Sequence, residues 1–159
     1  MVCIRKGKRS RPDEYGSKVL LVADRKGYVP AHQEFAANLS DVKLLEPALM
    51  EWQQALGQLP EAIVGDRGVT PKAGQEPPLL SQIPKVALPS RGKNRRPQES
   101  QPWFKRLLKK RVIIEPIISH LKSDHRMNRC RYKGFAGDQI NVAWAVMAWN
   151  TKKWIADTS

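Results

Sequence analysis

The stretch Arg111-Val-Ile-Ile-Glu115-Pro-Ile-Ile-Ser-His-Leu-Lys122 constrains this chain more than any other. At ~100° per residue on an α-helix, Arg111, Glu115 and Lys122 project within roughly 40° of one another. The rest of the stretch is mostly Ile, Val and Leu, as suits a helix laid against a sheet. A carboxylate set between two cations on an apolar helix is costly unless it has a partner. A divalent metal ion would supply one, and phosphates would satisfy the neighbouring cations, which is the combination that phosphodiester cleavage needs. The plainer alternative is an intrahelical Arg111–Glu115 pair beside a solvated Lys122. Both readings stay open on this stretch alone.

A second acidic position lies upstream. Glu61-Ala-Ile-Val-Gly-Asp66-Arg67-Gly68 reads as a short apolar strand that ends on an aspartate and breaks at a glycine. In open α/β sheets, the residues that handle ligands sit at the carboxyl ends of strands. Asp66 there offers a metal ligand, Arg67 a phosphate cation and Gly68 a flexible backbone. An aspartate in such a place also serves as a turn former or helix cap.

Four blocks in order then point to one family: Ile4-Arg-Lys-Gly-Lys8 with Glu14-Tyr-Gly-Ser-Lys18, Gly65-Asp66-Arg67-Gly68, Arg111 through Lys122, and Gly134-Phe-Ala-Gly-Asp138-Gln-Ile-Asn141. They resemble the carboxyl-terminal part of the DDE transposases of bacterial insertion sequences. The spacing Arg111-x3-Glu115-x6-Lys122 is similar to that family's Tyr-Arg-Glu-Lys signature, with Leu108 in the tyrosine's place. The resemblance implies an α/β, ribonuclease-H-like fold: a mixed sheet with flanking helices, in which two Asp and one Glu hold two Mg²⁺ or Mn²⁺ ions. Asp66 would be the second acid and Glu115 the third, both catalytic and both metal ligands. The first acid belongs on the first strand, just upstream of the hairpin that Arg5-Lys6-Gly7-Lys8 resembles. No acid precedes Asp13. Asp13 and Glu14 fall at the start of the next strand and are poor substitutes. The expectation is a partial catalytic domain over residues 1–159, lacking the complete first strand.

Composition fits a nucleic-acid partner. Lys and Arg number 28 against 15 Asp and Glu, a difference of 13. Between Arg91 and Lys133 there are 14 basic residues and three acidic ones, Glu99, Glu115 and Asp124. Such asymmetry is the electrostatic footprint of a surface for polyanions. Arg67, Arg95, Arg96, Arg111, Lys122, Arg129 and Arg131 are the candidates for DNA phosphates, with residues 90–102 a basic linker inside the domain. Equally basic RNA-binding proteins show that charge alone does not decide the partner. Cys3 and Cys130 make no disulfide framework and suit a reducing cytoplasm. His120, His125 and Cys130 recur every five residues, which scatters them around a helix and argues against a zinc site. No apolar run reaches the ~18 residues of a membrane span. A cytoplasmic, nucleoid-associated bacterial protein is expected, with a homo-oligomer in a transposition complex.

Periodicity predicts the elements. Gly16 to Asp24 is a buried strand, and Gly27 turns it into an antiparallel strand from Tyr28 to Ala36. Ser40 is a predicted N-cap for a helix along Leu44, Leu45, Ala48, Leu49, Trp52 and Leu56, ended by Gly57. Pro47 allows a later start, with the proline in the first turn. Ala62 to Asp66 and Lys85 to Pro89 are strands. Residues 69–84 are irregular, with a short helix implied by the family pattern. One helix should run from about Trp103 to Ser123, kinked by Pro116. The last, Asp138 to Ile155, has Asp138 as N-cap and Asn141 as a polar anchor. Its stripe of Ile140, Ala143, Trp144, Met147, Ala148, Thr151, Trp154 and Ile155 is expected in the core.

The reading is DNA transposition: metal-dependent cleavage and strand transfer, carried by a part that lacks one acid. The alternatives are a non-catalytic basic nucleic-acid-binding protein and a nuclease of the same fold.

Overall fold

A computed structural model describes residues 2–5, 13–92 and 95–159, with side chains described from Gly16 onward except at residues 93 and 94. The basic hairpin tip expected at residues 6–8 lies outside the described residues. Strand β1, Val2–Arg5, pairs antiparallel with β2, Asp13–Gly16, placing Arg5 opposite Asp13 along the backbone.

Strand β3, Lys18–Val22, pairs antiparallel with β4, Ala31–Phe35. The Asp24 carboxylate shapes the turn between them by accepting the backbone N–H of Lys26 at 2.8 Å and of Tyr28 at 2.9 Å. Gly27 supplies the positive φ of 91° that the turn requires. The second strand starts later than Tyr28 because Val29 spends its backbone elsewhere. Asn150 accepts its N–H and donates to its carbonyl, each at 2.9 Å, and Pro30 has no N–H to offer a ladder.

A 3₁₀ turn, Asp41–Leu44, leads into helix α1, Leu45–Leu56. Ser40 makes no side-chain cap, contrary to expectation. Pro47 falls in the first turn, where its missing N–H costs nothing. Gly57 closes the helix at φ 72°, as predicted. Strand β5, Ala62–Val64, pairs parallel with β6, Lys85–Ala87. Between them the chain forms 3₁₀ turns at Arg67–Val69 and Pro78–Gln82.

The architecture is mixed α/β, but among the described residues the single mixed sheet expected from the sequence is not formed. Among the described residues there are three separate two-stranded sheets. Strands β3 and β5 each have a ladder partner on one side only, so nothing joins their sheets into one.

The long helix expected from Trp103 to Ser123 is broken into α2, Pro102–Lys110, a 3₁₀ turn at Arg111–Ile113, and α3, Ile114–Ser123. Pro116 explains the break. Its ring and missing N–H both act on the carbonyl four residues back, at Val112, and the chain tightens there. A further 3₁₀ turn, Pro97–Ser100, lies in the segment expected to be an unstructured linker.

Helix α4, Gly134–Thr158, begins four residues before Asp138. Asp138 therefore does not cap it; its carboxylate accepts the Ser17 hydroxyl at 2.5 Å and ties α4 to the segment between β2 and β3. Asn141 is the expected anchor, donating to the Met127 carbonyl at 3.0 Å. The core stripe is a correction. Val142, Ala145 and Val146 are buried, whereas Trp144 is 57% and Trp154 60% exposed, with Ile140, Met147 and Ile155 also exposed. The helix is apolar on two faces, so periodicity alone could not choose between them. The inward face is the one with smaller side chains, which lets α4 approach its neighbours closely.

Two cores result. Val29, Ile117, Leu121, Val142, Ala145 and Val146 join the β3–β4 hairpin to α3 and α4. Leu45, Leu49, Leu80, Ile83 and Leu88 join α1 to the β5–β6 pair.

Candidate metal and phosphate site

The turn after β5 positions Asp66. Gly65 is required there, because a Cβ would meet the Val69 side chain at 2.6 Å and that of Leu88 at 2.8 Å. Asp66 sits at the N-cap of the Arg67–Val69 turn with extended backbone, and its Oδ1 accepts the Arg67 N–H at 2.6 Å. Thr70, fully buried, donates its hydroxyl to the Pro89 carbonyl at 2.8 Å and so fastens the turn to the end of β6. Arg91 fastens it from outside, with Nε donating to the Arg67 carbonyl at 3.1 Å and Nη2 to the Gly68 carbonyl. Gly68 passes so close to Asp41 that a Cβ would lie 3.0 Å from its carboxylate, and Asp41 is itself held by Lys18 Nζ at 2.6 Å.

The second carboxylate oxygen of Asp66 is directed outward. It lies 3.5 Å from Arg111 Nη1, with the Asp66 side chain 70% exposed. Arg111 therefore reaches across to the other acidic position instead of pairing with Glu115 on its own helix. The 3₁₀ turn accounts for this. At ~120° per residue it rotates Arg111 away from Glu115 relative to a continuous α-helix.

Asp66, Arg67, Arg95 and Arg111 line one cavity of about 320 Å³ together with Pro89, Glu99, Phe104, Lys105 and Leu108. Glu99 braces its rim. Its carboxylate accepts the Ser90 hydroxyl, the Ser90 N–H at 2.9 Å and the Arg96 N–H at 3.2 Å. Those bonds, the Ser90 hydroxyl foremost, hold the Glu99 carboxyl below the usual range despite partial burial, and Arg95 adds to the effect. Leu108, in the place of the signature tyrosine, forms part of the wall.

The remaining predicted residues lie outside this cavity. Glu115 is exposed in the first turn of α3, and among the described residues it makes no hydrogen bond or ion pair. Lys122 is exposed in the last turn of α3. Arg129 and Arg131 are exposed in the connection to α4, where Arg126 adopts a positive φ of 55°. Arg96 lies 3.9 Å from Glu76 and leads into the Pro97–Ser100 turn. His120 bonds Asp124 at 2.8 Å and stacks on Trp149. Sequence reasoning missed Lys105, Glu99 and Arg91. Lys105 was discoverable, since Lys105, Leu108 and Arg111 recur every three residues along one helix face.

The donor chemistry at Asp66 suits a hard divalent cation, an exposed carboxylate oxygen with cations around it for a phosphate. The described residues contain no group of three or more His, Cys, Asp or Glu side chains able to enclose a metal. The cavity thus presents two acids, Asp66 with an outward oxygen and Glu99 engaged by Ser90 and Arg96, flanked by Arg67, Arg95, Lys105 and Arg111.

A family model described as Transposase DDE domain matches residues 4–151. No curated protein and no solved structure matches the chain. The match covers most of the sequence, and the chain belongs to the transposase DDE domain family. Its function is therefore connected with transposition, the family implies DNA as the partner, and the family generally uses divalent metal ions. Among the described residues no helix is long and apolar enough to cross a membrane.

Proposed function

We propose that this chain carries a catalytic domain of an insertion-sequence transposase, in which Asp66 and Glu115 supply two of the acids that hold Mg²⁺ or Mn²⁺. When bound, such ions activate the attacking oxygen and stabilise the leaving one during displacement at a phosphodiester. The observation that carries the reading is the shared cavity, where Asp66 faces Arg111 at 3.5 Å with Arg67, Arg95 and Lys105 around it. Arg111 balances the Asp66 charge when no metal is bound and can turn to a phosphate when one is. Arg67 and Arg95 orient the DNA backbone at the same rim. Lys122, Arg129 and Arg131 extend the cationic track along α3 and the connection after it. The Arg111–Ile113 turn is a natural hinge for bringing Glu115 toward Asp66, because 3₁₀ geometry is easily exchanged for α.

With only two of the three acids assigned among its residues, the 159-residue chain is expected to bind DNA without performing strand transfer. DNA affinity should fall steeply with salt and show little sequence preference. Neutralising Arg95, Arg96, Arg129 and Arg131 together should lower the slope of log K against log salt by up to several units, about one per lost phosphate contact. An unchanged slope would place the DNA face elsewhere. Robust strand transfer by the wild-type chain, abolished by Glu115→Gln, would show that the first acid lies within this sequence, with Asp13 or Asp24 the suspects.

A further inference from the structure

We propose that Asp41 is a positioning residue for Asp66: held by Lys18, it lies against Gly68 and sets where the turn after β5 stands relative to the β3–β4 hairpin. The consequence for metal binding rests on the reading of Asp66 given above, and the positioning itself does not.

Three stretches far apart in the chain meet at this point. Lys18 opens β3, Asp41 opens the 3₁₀ turn before α1, and Gly68 lies in the turn that Asp66 caps. Lys18 Nζ donates to Asp41 Oδ1 at 2.6 Å and to the Leu39 carbonyl at 2.5 Å. One carboxylate oxygen of Asp41 is thus committed to the start of the hairpin.

The other oxygen faces Gly68. A Cβ at Gly68 would lie 3.0 Å from Asp41 Oδ2, 3.6 Å from its Cβ and 3.8 Å from its Cγ. Gly68 does not share the positive φ of Gly27, Gly57, Gly74 and Gly134, so backbone conformation does not demand glycine there. The space that Asp41 occupies demands it.

This contact joins parts that the backbone leaves unjoined. The β3–β4 and β5–β6 pairs share no ladder, and they pack into different cores. Thr70 and Arg91 fasten the Asp66 turn on the β6 side, through the Pro89, Arg67 and Gly68 carbonyls. Lys18 and Asp41 fasten it on the hairpin side.

Global stability is a poor account of the pair. The Lys18 and Asp41 side chains are 20% and 55% exposed, and exposed ion pairs stabilise a fold little. The effect of the contact is local. Groups that orient a metal-binding carboxylate govern affinity well beyond the strength of their own bonds.

The test combines amide hydrogen exchange with Mn²⁺ affinity by calorimetry. Exchange is read at Val69 and Thr70, whose N–H groups bond the Asp66 and Arg67 carbonyls within the turn. Asp41→Ala should speed exchange at both amides at least about tenfold, with the urea midpoint little changed. It should also weaken Mn²⁺ binding about tenfold. Asp41→Asn keeps the shape and an acceptor for Lys18, and should resemble the wild type in both readouts. Gly68→Ala should act like Asp41→Ala, yet add little in the double variant, because removing the carboxylate clears space for the methyl. Unchanged exchange in Asp41→Ala, additive effects in the double variant, or Mn²⁺ affinity indifferent to a loosened turn would overturn the proposal. Equal losses in Asp41→Asn and Asp41→Ala would overturn it too, since charge and not position would then be what Asp41 supplies. Absence of Mn²⁺ binding by the wild type would sink the reading of Asp66 as a ligand, and exchange alone would then decide the role of Asp41.

Discussion

Asp66 stands on a turn held by several hydrogen bonds and close contacts, whereas Glu115 stands exposed at the start of α3, and among the described residues its carboxylate makes no hydrogen bond or ion pair. Around Asp66, Gly65 fits against Val69 and Leu88, Thr70 bonds Pro89, and Arg91 bonds the Arg67 and Gly68 carbonyls. Glu115 opens α3 after a 3₁₀ turn, exposed to solvent. A carboxylate that only had to be soluble would need no such bracing as Asp66 has. One carboxylate sits on a braced turn and the other at an exposed helix start, so substitutions at the two places should differ in cost.

The largest effect is expected at the braced turn. Gly65→Ala pushes a methyl into Val69 and Leu88, and overpacking of this kind should cost about 1–3 kcal/mol, read from urea unfolding. Thr70→Val keeps the shape but leaves the Pro89 carbonyl without its donor, for about 1–2 kcal/mol by the same measurement. Loss of less than about 0.5 kcal/mol at both positions would mean that the bracing is incidental.

A smaller, pH-dependent effect belongs to Glu99. Its folded pKa is lowered, chiefly by the Ser90 hydroxyl. The stability it contributes is therefore present above the unfolded pKa of about 4.3 and is lost as pH falls through the folded value. Urea midpoints measured from pH 6 downward should fall more steeply for the wild type than for Glu99→Gln. Parallel curves would show that the carboxylate does not brace the cavity rim.

The smallest stability effect is expected at the exposed start of α3. Glu115→Gln should change unfolding free energy by less than about 0.5 kcal/mol, as an exposed side chain without a described partner should. A cost above about 1 kcal/mol would reveal a structural role and remove the contrast between the two turns.

Much of this was legible from residue order. Asp66 at a strand end, Gly57 as a helix stop, and Asn141 as an anchor all follow from local chemistry that does not depend on distant contacts. The β3–β4 hairpin was legible for the same reason; β5 and β6 were legible as strands but their parallel pairing was not, and the single mixed sheet that was expected is not formed among the described residues, because no ladder partner joins the pairs. The face of α4 was misread, since Trp144 and Met147 match the helical period as well as Val142 and Val146 do. The Arg111–Asp66 contact was hidden too. Sequence spacing assumes an unbroken helix, and Pro116 tightens the chain where Arg111 leaves it.

The most direct measurement is a Mn²⁺ titration by calorimetry, comparing the wild-type chain with the Asp66→Asn, Glu115→Gln double variant. The account predicts weak, saturable binding by the wild type and a loss of at least about tenfold in the double variant, with the unfolding free energy little changed. Equal binding by the two proteins would contradict the proposal, because no metal would then depend on Asp66 or Glu115.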